Sequence, residues 1–320
     1  MKERLLGKTK FRVSEIGFGC WPIGGQSYGK VSDGDSLRAL ETAWESGVNF
    51  FDTADVYGEG HSEELLGQFL KDKRRDLAII ATKVGWDFTQ GAHKKNFDPE
   101  YIRSACEKSL KRLRMESIDL YQLHNPSLEL IQRKEIFGVL EGLKKQGKIR
   151  RIGISVHTEV EAFAALQDHR VEAIQLIFNF LDQRMKERVF PEAEKKDVGV
   201  IAREPLASGI LSGRYVPDHI FPKDDHRSRW MPVKRQADWE KVQIFKQTLK
   251  GKRISLVKAA LEYLLGFDAV STIIPGAKTR TQVLENVSAS LEAELDREDI
   301  DRLETIYNSH EIFHRGLNPR

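Results

Sequence analysis

Cysteine is nearly absent: Cys20 and Cys106 are the two in a chain of 320 residues. That excludes a disulfide framework and any cysteine-based metal spacing, and makes a reducing cytoplasm the expected compartment. Long apolar runs are missing too. No stretch of about 18 apolar residues occurs, so no transmembrane helix is expected. Met1-Lys2-Glu3-Arg4 lacks the apolar centre of a signal peptide. Nor is there an excess of one charge. Fifty-one basic residues face 48 acidic ones, a net +3 with the signs mixed throughout, too weak a bias to argue for nucleic acid or membrane as partner. No repeat of about 20–50 residues points to a solenoid. P-loop and metal-cluster patterns are lacking. Gly17-x-Gly19 with Gly24 is a poor dinucleotide fingerprint, because its spacing is wrong, Pro22 interrupts it and no helix opens directly after it.

What is present is strand–helix alternation. Arg4–Leu6 and Phe11–Val13 flank Gly7-Lys8-Thr9-Lys10, which predicts a β-hairpin. Apolar runs at Glu15–Gly19, Val48–Asp52, Leu77–Lys83, Ile118–His124, Ile149–Ser155, Val171–Phe178, Gly199–Arg203 and Ala269–Ile274 read as eight strands. Helical periodicity follows each: Ser36–Ser46 with Asp35 as N-cap and Gly47 as stop, Ser62–Leu70, a helix opened by Asp98-Pro99-Glu100 and running to Leu113, Leu128–Gln146, Val160–Leu166, Phe190–Lys196. Residues 204–235 lose the period and read as a long loop. The pair Ala237–Leu249 and Ser255–Leu265 comes next, and Thr279–Ala289 and Arg297–Asn308 come last. The count predicts an α/β fold: a (β/α)8 TIM barrel with an N-terminal hairpin cap and two extra helices. Residues 1–308 form one domain and 309–320 a tail, since such barrels run past about 250 residues as one unit.

Three strand ends carry chemistry. Val48–Asp52 ends in Asp52 and leads through a polar turn to Tyr57; the next strand ends in Lys83; the one after ends in His124-Asn125-Pro126. Carbonyl reduction needs such a set: a phenol to protonate the nascent alkoxide, an ammonium to lower the phenol's pKa, a carboxylate to hold the ammonium and an imidazole to orient the carbonyl. Taken singly, each is an ordinary surface Lys, capping His or turn Tyr. Four at the ends of three successive strands are hard to explain that way. Trp21 reads equally as an active-site wall or a packed loop tryptophan. Trp86-Asp87-Phe88 reads either as a substrate wall or as plain loop, and Trp44 as core.

These residues are where the chain resembles a known family, the aldo-keto reductases. The shared stretches are Asp52-Thr53-Ala54-Asp55-Val56-Tyr57-Gly58, Ala81-Thr82-Lys83, Leu123-His124-Asn125-Pro126, Gly153-Ile154-Ser155, Gln175, Pro205-Leu206-Ala207-Ser208-Gly209 and Pro275-Gly276-Ala277-Lys278. The resemblance covers roughly residues 4–307 and is nearest to bacterial enzymes of the inositol-utilisation type. It implies Tyr57 as general acid tuned by Asp52 and Lys83, His124 on the substrate carbonyl, and NADPH/NADP+ across the barrel mouth. Trp21 is placed with the cofactor residues. The resemblance puts Ser155 and Gln175 on the carboxamide. Pro205, Leu206, Ser208 and Gly209, with Arg214 nearby, fall on the pyrophosphate, and Gly276, Lys278, Arg280, Gln282, Glu285 and Asn286 around the adenosine. Lys278 and Arg280 at a helix start suit a 2′-phosphate, although a solvated basic turn would look the same.

Two positions depart from the family. Val156 follows Ser155 where an amide or Arg is common. Arg203 stands where many members have an aromatic to stack on the nicotinamide. A guanidinium is planar and stacks, whereas Glu204, as a strand neighbour, is expected to point to the opposite face; stacking is therefore the expectation for Arg203. The implied function is NADPH-dependent reduction of small-molecule aldehydes or ketones, or the reverse. A nicotinamide-binding regulatory protein is the alternative, because the β subunits of voltage-gated potassium channels share the fold and motifs. The long N-terminal extension of an inactivating segment is not seen.

Overall fold

The computed structural model describes residues 1–25, 27–89 and 91–314. Strands β1 (Glu3–Leu5) and β2 (Arg12–Ser14) pair antiparallel with Arg4 opposite Val13, joined through a 3-10 turn at Gly7–Thr9. Leu6, Phe11 and Val13 of this hairpin pack on Phe50, Ala81, Leu120, Ala173 and Ile201 from inside the main sheet. The hairpin therefore plugs one mouth with apolar side chains. Gly7 has a φ of +47°, and a Cβ there would stand 2.3 Å from the backbone nitrogen of Gly199, so glycine alone lets the turn press against the strand bottoms.

The remaining strands are β3 (Phe18–Gly19), β4 (Phe50–Asp52), β5 (Ile79–Val84), the short pair β6 (Trp86–Asp87) and β7 (Lys94–Lys95), β8 (Ile118–His124), β9 (Ile149–Ser155), β10 (Ala173–Ile177), β11 (Gly199–Arg203) and β12 (Val270–Ile273). Leaving aside β6 and β7, eight of them pair in sequence order, all parallel. Parallel bridges Ile16–Ile273 and Gly19–Gly276 join the first strand to the last. The sheet closes, as a (β/α)8 barrel requires. The outward strand faces and the helices share one large apolar core. Two helices stand outside the one-per-strand pattern, Pro232–Thr248 and Arg297–Ser309, and they touch each other. Among the described residues no helix is long and apolar enough to cross a membrane, and both cysteines are free and buried.

Several boundaries depart from the sequence reading. The first helix is capped by Ser32, not Asp35: the Ser32 hydroxyl accepts from the Asp35 backbone N–H, and the helix runs Asp33–Glu45. The expected helix Leu128–Gln146 breaks into Leu128–Arg133 and Glu135–Lys145, because Lys134 adopts a left-handed φ of 62°. The 204–235 loop contains 3-10 turns at Ala207–Ser212 and His226–Arg229, and its end is helical from Pro232, a proline at the first helical position. Beyond Asn308 the chain continues into a 3-10 turn at Glu311–Phe313. Phe313 is fully buried, its ring 5.4 Å from that of Phe180 and 5.1 Å from that of Tyr307. Residues 315–320 of the expected tail lie outside the described residues.

Candidate active site

At the C-terminal end of the barrel the inward side chains turn from apolar to polar. Alternation along β5 and β8 sends Lys83 and Gln122 inward, paired opposite each other in register. Asp52 ends β4, 2% exposed. Its carboxylate accepts from Lys83 Nζ at 2.5 Å, Gln122 Nε2 at 3.0 Å and Gln175 Nε2 at 2.8 Å. Lys83 is fully buried and spends its three protons on Asp52 Oδ1, the Thr53 carbonyl at 2.8 Å and Tyr57 Oη at 3.2 Å. Tyr57 reaches this ammonium because the chain after β4 turns tightly, with Gly58 at φ 62° and a Cβ there 2.3 Å from the Gly24 carbonyl oxygen. The His124 ring stands edge-on to Tyr57, centroids 5.9 Å apart.

Burial sets the proton affinities. It raises the Tyr57 phenol; the adjacent ammonium of Lys83 pulls the other way without overcoming burial. The ammonium acts in the direction expected from sequence, but the net shift is upward. Burial pulls Lys83 down, yet Asp52 and Tyr57 together carry it above its ordinary value, so it stays protonated. His124 is pushed well below the usual imidazole range by burial, then by Lys83, Lys95, Arg203 and His157. It is a neutral ring, and its buried Nδ1 has no partner among the described residues. A neutral imidazole beside a protonated phenol offers two hydrogen-bond donors to one oxygen without placing a cation there.

These groups open into a cavity of about 990 Å³ that runs from Trp86 and His124, past Tyr57, to Lys278 and Asn286. Most residues singled out in the sequence lie on its wall: Trp21, Asp52, Tyr57, His124, Gln175, Arg203, Pro205, Leu206, Ser208, Gly209, Arg214, Gly276, Lys278, Gln282, Glu285 and Asn286. Trp86 is there as well, whereas Asp87 and Phe88 are not. Three lie off the wall. Lys83 sits behind Tyr57. Ser155 is buried and donates to Asn125 Oδ1 at 2.9 Å, so Asn125 faces the cavity in its place. Arg280 is exposed at the start of the helix Arg280–Ser288.

At the far end, Lys278 is half-buried and donates to the Tyr28 carbonyl at 2.6 Å, and Gln282 accepts from the Lys278 backbone at 2.8 Å. Arg214 pairs with Glu285 at 3.3 Å. Glu204, Ala207 and Ser208 carry left-handed φ values of 54°, 47° and 56°. Arg227 locks this corner. It donates to the Ser208 carbonyl at 3.1 Å and forms a bidentate pair with buried Asp225 at 2.9 and 2.7 Å. Its guanidinium lies 5.0, 4.9 and 4.4 Å from the rings of Tyr28, Tyr215 and Phe221.

Arg203 corrects the sequence reasoning. The left-handed Glu204 ends strand alternation, so the two side chains meet at 3.0 Å rather than facing apart. Arg203 also donates to His157 Nδ1 at 2.9 Å and the Val156 carbonyl at 3.3 Å. Its charge is satisfied by protein groups and does not need a ring to rest on; its buried Nε has no partner among the described residues. Sequence reasoning also missed Gln122, His157, Tyr28, His226 and Arg227 as parts of the site. Alternation back from His124 would have put Gln122 inside the barrel; the others sit on loops without a period.

A closed parallel barrel with a buried Asp–Lys–Tyr chain beside a neutral His defines a class. The model of the aldo/keto reductase family matches residues 15–308, and the chain belongs to that family, oxidoreductases acting on carbonyls. It is 31% identical over 325 residues to the uncharacterized oxidoreductase YqkF of Bacillus subtilis (strain 168), covering 97% of this chain and 99% of the relative. Among solved structures, the holo form of aldo-keto reductase AKR11C1 from Bacillus halodurans matches with a TM-score of 0.82 at 31% identity over 96% of each chain. The glycerol dehydrogenase AKR11B4 from Gluconobacter oxydans also scores 0.82, at 28% identity over 100% of this chain and 97% of that one.

Proposed function

We propose that the protein is an NADPH-dependent reductase of aldehydes or ketones, able to run in reverse on the alcohol, with Tyr57 as general acid. The observation that carries this reading is the single hydrogen-bonded line from Asp52 through Lys83 to the Tyr57 hydroxyl. Nicotinamide cofactor fits the cavity by two observations. The cavity is lined from Trp86 to Asn286, with the catalytic groups at one end, and near that end His124 Nδ1 and Arg203 Nε are buried without a partner among the described residues. The cofactor, when bound, supplies the hydride. The protein does the rest. Lys83 keeps a positive charge beside the phenol, so the phenolate left after proton donation is stabilised where it forms. His124 and Tyr57 orient the carbonyl oxygen. Asn125 and Gln175 offer amides at the carboxamide position, and Ser155 acts through Asn125.

Tyr57→Phe should leave cofactor binding intact and lower kcat by roughly 10²–10⁴-fold on an aldehyde panel followed by NADPH absorbance. A variant retaining most of its turnover would remove Tyr57 as the acid. A panel that gives slow single-turnover oxidation with the parent protein would favour the regulatory alternative. The preference for NADPH rests on Lys278, half-buried, with no carboxylate in ion-pair range among the described residues, and on Arg280 at the helix start. A charged hydrogen bond contributes about 1.5–3 kcal/mol, so NADPH should bind on the order of tenfold tighter than NADH. Equal dissociation constants in fluorescence titrations would mean that both cations serve solvent.

A further inference from the structure

We propose that Lys95 is a positioning residue of the carbonyl end of the site: it clamps the Trp86 flap onto the backbone of His124 and Asn125. This rests on the reading of His124 as the carbonyl-orienting group. In sequence, Lys94-Lys95 is an ordinary basic pair in a loop. In the fold, β6 and β7 make a two-stranded flap at the end of β5, with Trp86 directly opposite Lys95. Opposed residues in an antiparallel pair share a face, and Lys95 Nζ lies 4.0 Å from the centre of the Trp86 ring. The same ammonium donates to the His124 carbonyl at 2.6 Å and the Asn125 carbonyl at 2.9 Å. Asn125 is in a left-handed conformation, φ 55°, at the end of β8. One ammonium therefore satisfies two consecutive backbone acceptors. It joins three elements at once: the flap, the backbone of the imidazole residue and the turn that presents the Asn125 amide. Trp86, His124 and Asn125 all line the cavity; Lys95 is off its wall, on the exposed side of the flap.

The clamp is held by dipoles and a ring face rather than by a counter-ion. Among the described residues no carboxylate stands in ion-pair range of Lys95. Glu161 is the acid that helps it most, and its Oε2 is already taken by the backbone N–H groups of His157 and Thr158. Asp55, the next, has its own charge disfavoured, because burial pushes its carboxyl well above its ordinary value. Arg203 opposes the charge, and His124 across the carbonyl is neutral. The Lys95 side chain as a whole is exposed, but its ammonium end rests on two carbonyls and the Trp86 ring, and burial of that end pulls it down to about 8. As pH rises through that value, the charge that binds the ring face and strengthens both carbonyl bonds is lost. The cofactor end, from Ser208 to Asn286, does not touch this clamp. Loosening it should therefore act mainly on KM for the carbonyl, with a smaller effect on the affinity for NADPH through the Asn125 amide.

The test is steady-state kinetics of the parent, Lys95→Met and Lys95→Arg between pH 6.5 and 9.5, with NADPH titrated by fluorescence in each. In the parent, KM for the aldehyde should rise above pH of about 8. Lys95→Met should show a KM about tenfold higher at pH 7, the size expected for a lost charged hydrogen bond, with no further rise above pH 8 and with smaller changes in kcat and in the dissociation constant for NADPH. Lys95→Arg, which stays charged across the range, should recover much of the KM and lose the alkaline rise. The proposal is overturned if Lys95→Met leaves the aldehyde KM at the parental value, or if the alkaline rise persists unshifted in Lys95→Arg. Tyr57→Phe in the same panel separates the two ideas, because retained turnover there defeats the catalytic reading whatever Lys95 does.

Discussion

Lys83→Met should cost the protein catalysis and stability by amounts that can be separated. The ammonium lies 3.2 Å from Tyr57 Oη and is fully buried. At an effective dielectric of about 20, that separation corresponds to roughly 5 kcal/mol of attraction between the ammonium and a phenolate. Taking the ammonium away also leaves the Asp52 charge to repel the phenolate without opposition, so both effects make the phenol a weaker acid. Burial has already raised Tyr57; the variant should raise it further. If about half of the interaction is felt in the transition state, the rate falls by about 10²-fold, the lower end of the range for a general acid. The alkaline limb of the pH–rate profile should move up, out of the accessible range. Removing one member of a buried ion pair usually costs about 3–5 kcal/mol. Here Gln122 and Gln175 continue to donate to Asp52, which places the expected loss toward the lower figure. Urea unfolding and NADPH-coupled turnover across pH measure the two separately. The double variant Asp52→Asn/Lys83→Met removes both charges and should recover much of the stability but only the part of the rate lost to the Asp52 repulsion. If turnover returns to the parental level together with stability, Lys83 merely props the barrel and the electrostatic account is wrong.

Asp55→Asn should become more stable relative to the parent as pH rises. Burial holds the parent carboxyl protonated well above its ordinary value of 3.8, so the unfolded chain releases that proton first and parental stability falls with pH above that value. Thermal melts at pH 5 and pH 8 check this, and a parent–variant gap that is equal at both would contradict it. Arg227→Met should destabilise by about 3–5 kcal/mol because Asp225 keeps a buried charge, and should weaken NADPH binding through the loosened Ser208 corner. Adding Asp225→Asn should recover stability without recovering affinity, as read by urea unfolding and fluorescence titration; strict additivity of the two substitutions would show that the pair is not coupled.

The barrel was legible because strands announce themselves by apolar runs. The boundaries Ile149–Ser155 and Gly199–Arg203 agree with the structure residue for residue. The candidate catalytic groups were legible for a related reason: Asp52, Lys83 and His124 sit at or beside strand ends, where an apolar run stops at a charged or polar residue, and Tyr57 lies in the turn after one. What stayed hidden shares one physical feature. Sequence reasoning uses glycine to mark a left-handed backbone, and here Lys134, Asn125, Glu204, Ala207 and Ser208 take that conformation without being glycine. Each hid a structural fact: a split helix, a carbonyl turned to Lys95, an Arg–Glu pair on neighbouring residues, and the corner at Ser208 that Arg227 holds.

Left-handed non-glycine residues cost about 1–3 kcal/mol each and persist where surrounding contacts over-determine them. Those contacts come from far away in the chain. Lys95 takes the Asn125 carbonyl across 30 residues, and Arg227 takes that of Ser208 across 19. Tyr28, whose ring lies beside Arg227, accepts from Lys278 at its backbone carbonyl across 250 residues, and His226 donates its backbone N–H to the Ser27 carbonyl. A local reading of the chain sees a basic pair, an unpatterned loop and a turn. The fold brings them together as the supports that hold Asn125 and Ser208 in place, one at each end of the same cavity. The division of labour follows. Regular strands fix the carboxylate, the ammonium and the imidazole, and turns and strained loops fix the phenol and the other groups facing the cavity. Selectivity for one carbonyl over another is therefore expected to respond to Lys95, Trp86 and Asn125 before it responds to any residue of the buried Asp52–Lys83–Tyr57 line.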